Sequence, residues 1–525
     1  MKVIRSFIQL LMLVVLLSIH AKAQHNVILI IADDIGTDYF GFYADHNDTI
    51  PVPNIRKLLS RGVLFTQAMS NPVCSSTRSG ILTGRYSFRT GVGNIVGSTS
   101  GSGTLDTAEI TIPRLLKQFN VSINAANIGK WHLHNPAPAW NLLNPLTLGY
   151  DHFEGPFIGQ LPSYTNWTKY TNGISSTVTT YATTENVNNA VDWLKTSVGN
   201  PFFLWLAFNA PHSPYHLPPA NLHTYTGLTG TPQHINQNPK LYFKASMQAL
   251  DTEIGRFIDS LQAMNVWDST DIIFIGDNGN AEQTAQIANL NQAKGTVYQY
   301  GVHVPFIVSG PSVVHGGRQS DALINTADIF ATVQELFGNS NWSAQIPITK
   351  PVDSKSFLSI LKDQASSIRD WSFCEIFKTT TDSADGKGIR NFNYKLIRFD
   401  HGVSEFYELV NDPSESINLL NSNLTSQQLS NYNYLCSELT NLIGSGSYCQ
   451  VGVGLQENTI SRLAVYPNPF THHIYGLENE RVVLYNQVGQ VVYQGNNLEQ
   501  TDFSNLASGL YFLQVKQQVQ KLVKE

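Results

Sequence analysis

Two pairs of residues at the ends of apolar runs supply oxygen donors. Asp33-Asp34 closes the run NVILIIA, and Asp277-Asn278 closes DIIFIG. Together they offer four oxygens, three of them anionic, a set that suits a hard divalent cation such as Ca2+ or Mg2+. No cluster of thiols and histidines occurs at zinc-like spacing, which argues against a soft-metal site. In IGKWHLH, Lys130 and His132 stand two apart, so an extended segment would turn both to one side, and a cation beside an imidazole suits an anionic substrate. His212 follows the run FFLWLAF, and Lys294 lies in AKGTVY. Each of these motifs alone reads equally as a turn or a solvated side chain. Their conjunction at the ends of separate strands is what points to a site.

A further motif adds a thiol. Cys74 is one of four cysteines and opens CSSTRSGILTG, whose first residues suit a helix N-terminus. That places Cys74 where free N–H groups and the helix dipole favour an anion, with Arg78 one turn on as a permanent cation. A cysteine so placed is expected to be activated rather than structural. The structural alternative pairs it with Cys374, while Cys436 and Cys449 are near enough in sequence to close a disulfide loop.

The elements that must position these residues follow from periodicity. The runs at 26–32, 202–208 and 271–276 are short and continuously apolar, and read as buried strands. Between them, Phe243, Met247, Leu250, Ile254, Phe257 and Leu261 recur at helical spacing over 241–264. Such alternation predicts an α/β domain with a parallel or mixed sheet flanked by helices, in which ligands bind beyond the carboxyl ends of the strands. From about Ser372 the pattern changes to a smaller α+β subdomain. A Ser/Gly stretch then leads to a tail of alternating β-branched and aromatic residues, predicted to be a small β-sandwich.

At the other end, Lys2 and Arg5 precede an apolar segment from Phe7 to Ile19 and the small-x-small site Ala21-Lys22-Ala23, the pattern of a secretory signal peptide. No other segment approaches the roughly 20 apolar residues of a membrane span. The resulting division is signal peptide 1–23, catalytic α/β domain 24–370, subdomain 371–450, linker 451–462 and tail 463–525. Loss of the signal peptide removes three cations and no acid, taking the formal charge from −6 to −9. That balance argues against nucleic acid as a partner.

The ordered motifs resemble the type I sulfatases of the alkaline-phosphatase superfamily. Their signature C-x-P/A-S/T-R, then L-x-G-R, stands here as Cys74-Ser-Ser-Thr-Arg78 and Leu82-Thr-Gly-Arg85. The strand-Asp-Asp start, G-K-W-H, P-H, D-N-G, a following lysine and a closing Y-K-L-I…D-P-x-E-x-x-N-L appear in family order over residues 26 to about 421. The resemblance implies an alkaline-phosphatase-like fold and oxidation of Cys74 to formylglycine (3-oxoalanine) by a maturase. It also implies one Ca2+ held by Asp33, Asp34, Asp277, Asn278 and the matured Cys74. Arg78 and Lys130 would then hold the formylglycine, while His132, His212 and Lys294 surround the sulfate and the leaving group.

Ser76 stands where the family usually has Pro or Ala, His134 replaces a glycine, and His303 lies in a segment the family writes E-G-G-V-R-V-P. The tail, with VYPNPF and GLYFLQV, resembles the C-terminal sorting domain of type IX secretion and implies release from the cell or attachment to its surface. Two rival readings stay open: a phosphate mono- or diester hydrolase, and a non-catalytic glycan-binding protein. The expected substrate is sulfated polysaccharide. The acidic chain has no long Lys/Arg run to track a polyanion, so a pocket acting on chain ends and short oligosaccharides is expected, with His134, Trp140, Tyr215, His216 and His303 as candidate sugar contacts.

Overall fold

The computed structural model describes residues 25–43, 48–97, 101–380, 382–444, 465–477, 480–516 and 518–525. The expected signal peptide and linker lie outside them. One large sheet contains β1 (Asn26–Ala32), β2 (Gly62–Met69), β3 (Asn124–Gly129), β4 (His152–Gly155), β5 (Trp167–Thr171), β6 (Ile174–Val178), β7 (Phe202–Ala207), β8 (Thr270–Gly276), β9 (Phe306–Ser309) and β10 (Arg318–Asn325). Their order is β10-β2-β9-β8-β1-β7-β3-β4-β5-β6. The centre is parallel, while β9 pairs antiparallel with both neighbours and β5 and β6 form an antiparallel margin, so the sheet is mixed.

β1, β7 and β8 are buried at every position, which is why each reads as a continuous apolar run. Alternate residues of β1 enter opposite cores. Ile28 and Ile30 pack with Phe243, Met247, Leu250 and Phe257 of the helix Pro239–Ala263. Val27, Leu29 and Ile31 face Ile81 and Leu82 of the helix Cys74–Thr83. Helices therefore cover both faces, each burying the apolar stripe that its periodicity prescribes. Ile31 lies opposite Ala207, and Ala32 opposite Gly276. The three strands thus end nearly level, and the polar residues that follow them emerge at one edge.

A second, antiparallel sheet runs β11 (Ser372–Ile376), β12 (Gly386–Arg390), β13 (Tyr394–Phe399) and β14 (Ser404–Glu408), accompanied by the helix Ser426–Ile443. Cys374, Ile376, Ile397 and Tyr407 of this sheet pack with Met69 and Val73, the residues leading to Cys74. Cys74 and Cys374 are both free, so the structural alternative of a bond between them does not hold. Cys436 is disulfide-bonded, and Cys449 lies outside the described residues.

Residues 445–525 form a separate compact unit. Its four strands, β15 (Val482–Asn486), β16 (Val491–Gly495), β17 (Gly509–Val515) and β18 (Gln518–Lys524), make one antiparallel sheet in the order β16-β15-β17-β18. Val465, Phe470 and Ile474 close its apolar face together with Leu498 and Phe503. That second layer is irregular chain, tied by a bridge between Tyr466 and Tyr475 and another between Phe470 and Lys524.

Candidate active site

The helix Cys74–Thr83 is buried at all ten positions although six of its residues are polar. It tolerates this because each hydroxyl is satisfied. Ser75 Oγ donates to His132 O at 2.9 Å, Ser76 Oγ to Val73 O at 2.9 Å, and Thr77 Oγ1 to Asn71 O at 3.2 Å. Gly84 ends the helix in the left-handed conformation, φ 68°, where a Cβ would strike the Phe330 ring. Cys74 is therefore the first residue of a helix driven end-on into the site. Ser76, the departure from the family pattern, fits without strain.

Backbone bonds bring the strand ends together. Asp33 N donates to Ala210 O, Asp277 N to Ala32 O, and Lys130 N to Ala207 O, at 3.1, 3.1 and 2.8 Å. Around Cys74 three acids meet three cations. Lys130 Nζ lies 2.6 Å from Asp33 Oδ2, and Lys294 Nζ lies 2.5 Å from Asp34 Oδ1. Arg78 Nε and Nη2 both donate to Asp277 Oδ2, at 3.2 and 2.8 Å, and Arg78 Nη1 donates to Lys130 O. Asn278 Nδ2 donates to Asp34 Oδ1 at 2.9 Å. All of these residues but Lys294 are buried, and removing one member of such a pair would leave an uncompensated charge costing several kcal/mol.

The same surroundings set the protonation states. Burial pushes the Asp33 carboxyl well above its ordinary range, against the pull of Lys130. For Asp34 and Asp277 burial acts in the same direction but loses. His212 and Lys294 hold Asp34 low, and Arg78 and Lys130 hold Asp277 low. Burial, reinforced by Lys130 and Arg78, keeps the His132 ring neutral, and burial likewise takes His212 down to about 4. Cys74 shifts the other way. Burial raises its thiol above the ordinary value, so the activated thiolate expected from its position at the helix start is not what the fold provides.

The donor set fits a divalent cation. Asp33, Cys74 and Asp277 present ligand atoms within 4.8 Å of one another, as do Asp33, Asp34 and His212. Asp33 Oδ1 and Asn278 Oδ1 are buried and accept no hydrogen bond. Two orphaned oxygens, one amide and one belonging to the three acids, are what an oxygen-liganded ion would satisfy.

Lys130 and His132 converge on the site, but not through an extended segment. His132 has φ 57°, and Asp34 has φ 65°. Left-handed backbone at two non-glycine residues is strain that packing must hold in place. The His132 ring lies with Nδ1 3.1 Å from Cys74 Sγ, and Gly159 makes room for it, since a Cβ there would come within 2.2 Å of the ring. His212 Nδ1 donates to Ser213 O at 2.7 Å, leaving Nε2 3.5 Å from Asp34 Oδ2.

The sugar-contact candidates divide. Tyr215 is half-buried and within electrostatic reach of Asp34 and Lys294, and Trp140 is exposed in the turn Ala139–Leu143. His134 is buried against Trp131, 5.9 Å between ring centroids and nearly parallel, and accepts a bond from its indole N–H. It is a packed ring rather than a contact, because the kink at His132 turns the following chain inward. His216 has both nitrogens engaged, by Pro214 O and Tyr181 OH, and stacks on Tyr164. His303 donates from Nε2 to Thr66 O and lines a separate cavity.

Sequence reasoning passed over Ser75, Gly159 and Tyr164. The Tyr164 hydroxyl spans Asn209 O and His212 O at 2.7 Å each and so shapes the turn that carries His212. Nothing local distinguishes these three, whose roles depend on residues up to 57 positions away.

A mixed α/β sheet that gathers acids, cations and a buried cysteine at its strand ends defines a site for handling an anionic ester. Comparison with known proteins specifies it. The family described as Sulfatase matches residues 25–339, the C-terminal region of N-sulphoglucosamine sulphohydrolase matches 292–443, and the secretion system C-terminal sorting domain matches 464–525. The chain belongs to the sulfatase family, the sulfuric ester hydrolases. Its tail is a type IX sorting domain, which directs the protein out of the cell or to its surface. No helix among the described residues is long and apolar enough to cross a membrane.

The chain is 24% identical to steryl-sulfatase of Homo sapiens over 66% of its own length and 71% of the relative's. It is 28% identical to N-acetylgalactosamine-6-sulfatase of Homo sapiens over 61% of its length and 63% of the relative's. Its fold matches that of Ps i-CgsB, solved with k-i-k-neocarrahexaose, at TM-score 0.66 and 22% identity, covering 80% of this chain and 92% of that one.

Proposed function

We propose that this chain is an exported carbohydrate sulfatase that works through formylglycine made from Cys74 and one Ca2+ held by Asp33, Asp34, Asp277, Asn278 and the matured residue 74. The observation that carries the reading is the setting of Cys74: first residue of a buried helix, 3.1 Å from His132 and surrounded by three acid–cation pairs. A thiol whose pKa is raised by burial is a poor nucleophile at neutral pH, so the position suits a modified residue better than a working cysteine. Cys74 is 1% exposed, so a formylglycine-generating maturase must meet it before the helix packs.

Formylglycine hydrate would supply a nucleophilic hydroxyl and a second one that permits release of sulfate, while a divalent ion would lower the pKa of the first and neutralise sulfuryl oxygens. The rest falls to side chains. Asp277, held by two bonds from Arg78, is placed to take the proton of the attacking group. Lys130, Lys294 and Arg78 carry the charge that stabilises the sulfuryl oxygens as the ester bond breaks. His212, its Nδ1 fixed on Ser213 O, directs Nε2 into the site to serve the leaving alcohol. His132, neutral and against position 74, accepts the proton in the second half of the reaction.

Carbohydrate is favoured as substrate by the amino sugar in the name of one relative and the neocarrahexaose bound in a structure of similar fold, and by export, which brings the protein to extracellular polymers. An acidic chain with no long Lys/Arg run to track a polyanion favours chain ends and short oligosaccharides. Peptide mass analysis should find an aldehyde at position 74 in protein from a host able to make it. The mature protein should release sulfate from an aryl sulfate far faster than phosphate from the matching aryl phosphate. An unmodified Cys74 in active protein would overturn the mechanism, and equal sulfate release per sulfate group from polymer and oligosaccharide would overturn the end-acting reading.

A further inference from the structure

A cavity of about 1000 Å3 lies where β14 and the segment 409–416 meet the loop 287–303 and residues 36–38. None of the catalytic or metal-holding residues lines it. Its walls carry the half-buried Tyr298 and Tyr300, flat surfaces of the kind a sugar ring stacks on, with Phe392 exposed beside them and the buried Tyr407 also in the lining. Three carboxyl groups line it, and each is met by protein donors. The hydroxyls of Tyr298 and Tyr407 both donate to Glu405 Oε2, at 2.7 and 2.8 Å. Glu415 is paired with buried Lys395 at 2.9 Å. Asp38 accepts from Asn280 Nδ2 and Tyr300 OH, and burial pushes its carboxyl up to about 7.

Arg390 is the exception. It is 3% exposed, yet its guanidinium bonds only neutral oxygens: Nε donates to Asn391 O, Nη1 to Gln299 Oε1 and Nη2 to Phe392 O. Two of its five N–H groups remain for a ligand. Glu415 acts on it through space without bonding it, and is itself paired with Lys395. A buried cation with no directly bonded anion is costly, and a planar fork with spare donors is suited to a sulfate or carboxylate.

We propose that this cavity is a second saccharide site, separate from the catalytic centre, which takes an acidic sugar unit with its anionic group on Arg390 and its ring against the tyrosines. The choice of saccharide rests on the carbohydrate reading above. Such a site would hold an end-acting enzyme on the polymer whose ends it consumes. The Asp38–Asn280 bond, and Asn280 Oδ1 accepting from Gly36 N at 2.8 Å, also join the cavity wall to the two loops that follow β1 and β8.

The test uses the full chain carrying Cys74→Ala, so that bound saccharide is not turned over, with three hexasaccharide probes: a sulfated carrageenan fragment, a carboxylate-only alginate fragment and a neutral cellulose fragment. At least one acidic probe should protect amides of residues 298–303 and 405–416 from hydrogen exchange. Its binding should weaken about tenfold or more when Arg390→Gln removes a charge-assisted contact. Ser414→Trp, at an exposed lining position, should block binding while leaving the melting temperature unchanged, which covers the case in which Arg390→Gln disturbs folding. The sulfated and alginate probes separate a sulfate from a carboxylate preference.

Absence of binding by both acidic probes, protection confined to the loops around His132 and His212, or undiminished binding by Ser414→Trp would overturn the proposal. Hydrolysis of an aryl sulfate by the mature protein, with and without Ser414→Trp, is read separately. Its failure in the unsubstituted protein would count against the functional reading and not against the second site.

Discussion

The two compact units of this chain fill their interiors differently. Residues 25–444 bury Asp33, Asp34, Arg78, Lys130, Asp277 and many other charged or amide side chains at under a tenth exposure. Among the described residues of the second unit, Lys524 is the only charged side chain so buried, and the rest of that core is apolar. Buried charge adds little net stability and is expensive to leave unpaired, so a fold retains it where chemistry requires it. The larger unit is built around its site, whereas the tail is a small sheet stabilised by apolar contact, which needs only to fold and be recognised.

That contrast is broken most severely at residue 74. Cys74→Ala should lower turnover of an aryl sulfate by roughly 10⁴-fold or more, the scale on which a covalent nucleophile is lost. The melting temperature should hold, and retention of substantial activity would show that the buried charges serve something other than residue 74. A gentler change acts through geometry. In Gly159→Ala the new methyl would fall within 2.2 Å of the His132 ring, so the ring must shift and the rate should drop about a hundredfold, with binding of a non-hydrolysable sulfate analogue less affected.

Metal removal sharpens the comparison, because only the larger unit carries a cluster of candidate ligands among the described residues. Chelated protein should lose activity, and Ca2+ at a hundredfold excess over its dissociation constant should restore about 3 kcal/mol of stability. Calorimetry should place that gain in the larger unit's transition. Restoration by Zn2+ alone would contradict the oxygen donor set.

Glu375 gives a smaller, pH-linked effect. Burial pushes its carboxyl from an ordinary 4.5 to about 7. The folded state therefore holds a proton that the unfolded chain releases, and stability is lost as pH rises from about 4.5 to about 7. Glu375→Gln should remove that loss, gaining roughly 3 kcal/mol at pH 8 relative to pH 4 in denaturant titrations. An unaltered pH profile would exclude Glu375 as the cause. The least effect on catalysis is expected from deleting residues 463–525. Aryl-sulfate hydrolysis should be unchanged while the protein stays in the producing cell, and normal export of the shortened chain would refute a sorting role for the tail.

Local pattern in the sequence already carried β1, β7 and β8, whose apolar runs stop just before Asp33, Asn209 and Asp277, because a buried parallel strand must be continuously apolar and the polar residue that follows marks its end. It carried the helix through Phe243 and Leu261 by the same logic of period, and the ordered motifs from Cys74 to Lys294 by their types. Two readings failed where the backbone leaves its regular conformation. The positive φ at His132 turned His134 into the core, and burial of the whole helix Cys74–Thr83 raised a thiol that its position alone would have lowered.

What the sequence alone determined, then, is which residue types lie at strand ends and in what order, since these depend on neighbours a few positions away. Which acid meets which cation was decided only by the tertiary structure. Lys130 and Asp33 are 97 positions apart, and Arg78 and Asp277 199 apart, yet each pair is in hydrogen-bond contact. The fold also decided that Arg390 should line a cavity without a directly bonded acid, because burial, dielectric surroundings and the supply of donors are properties of packed space, to which distant segments contribute equally with near ones.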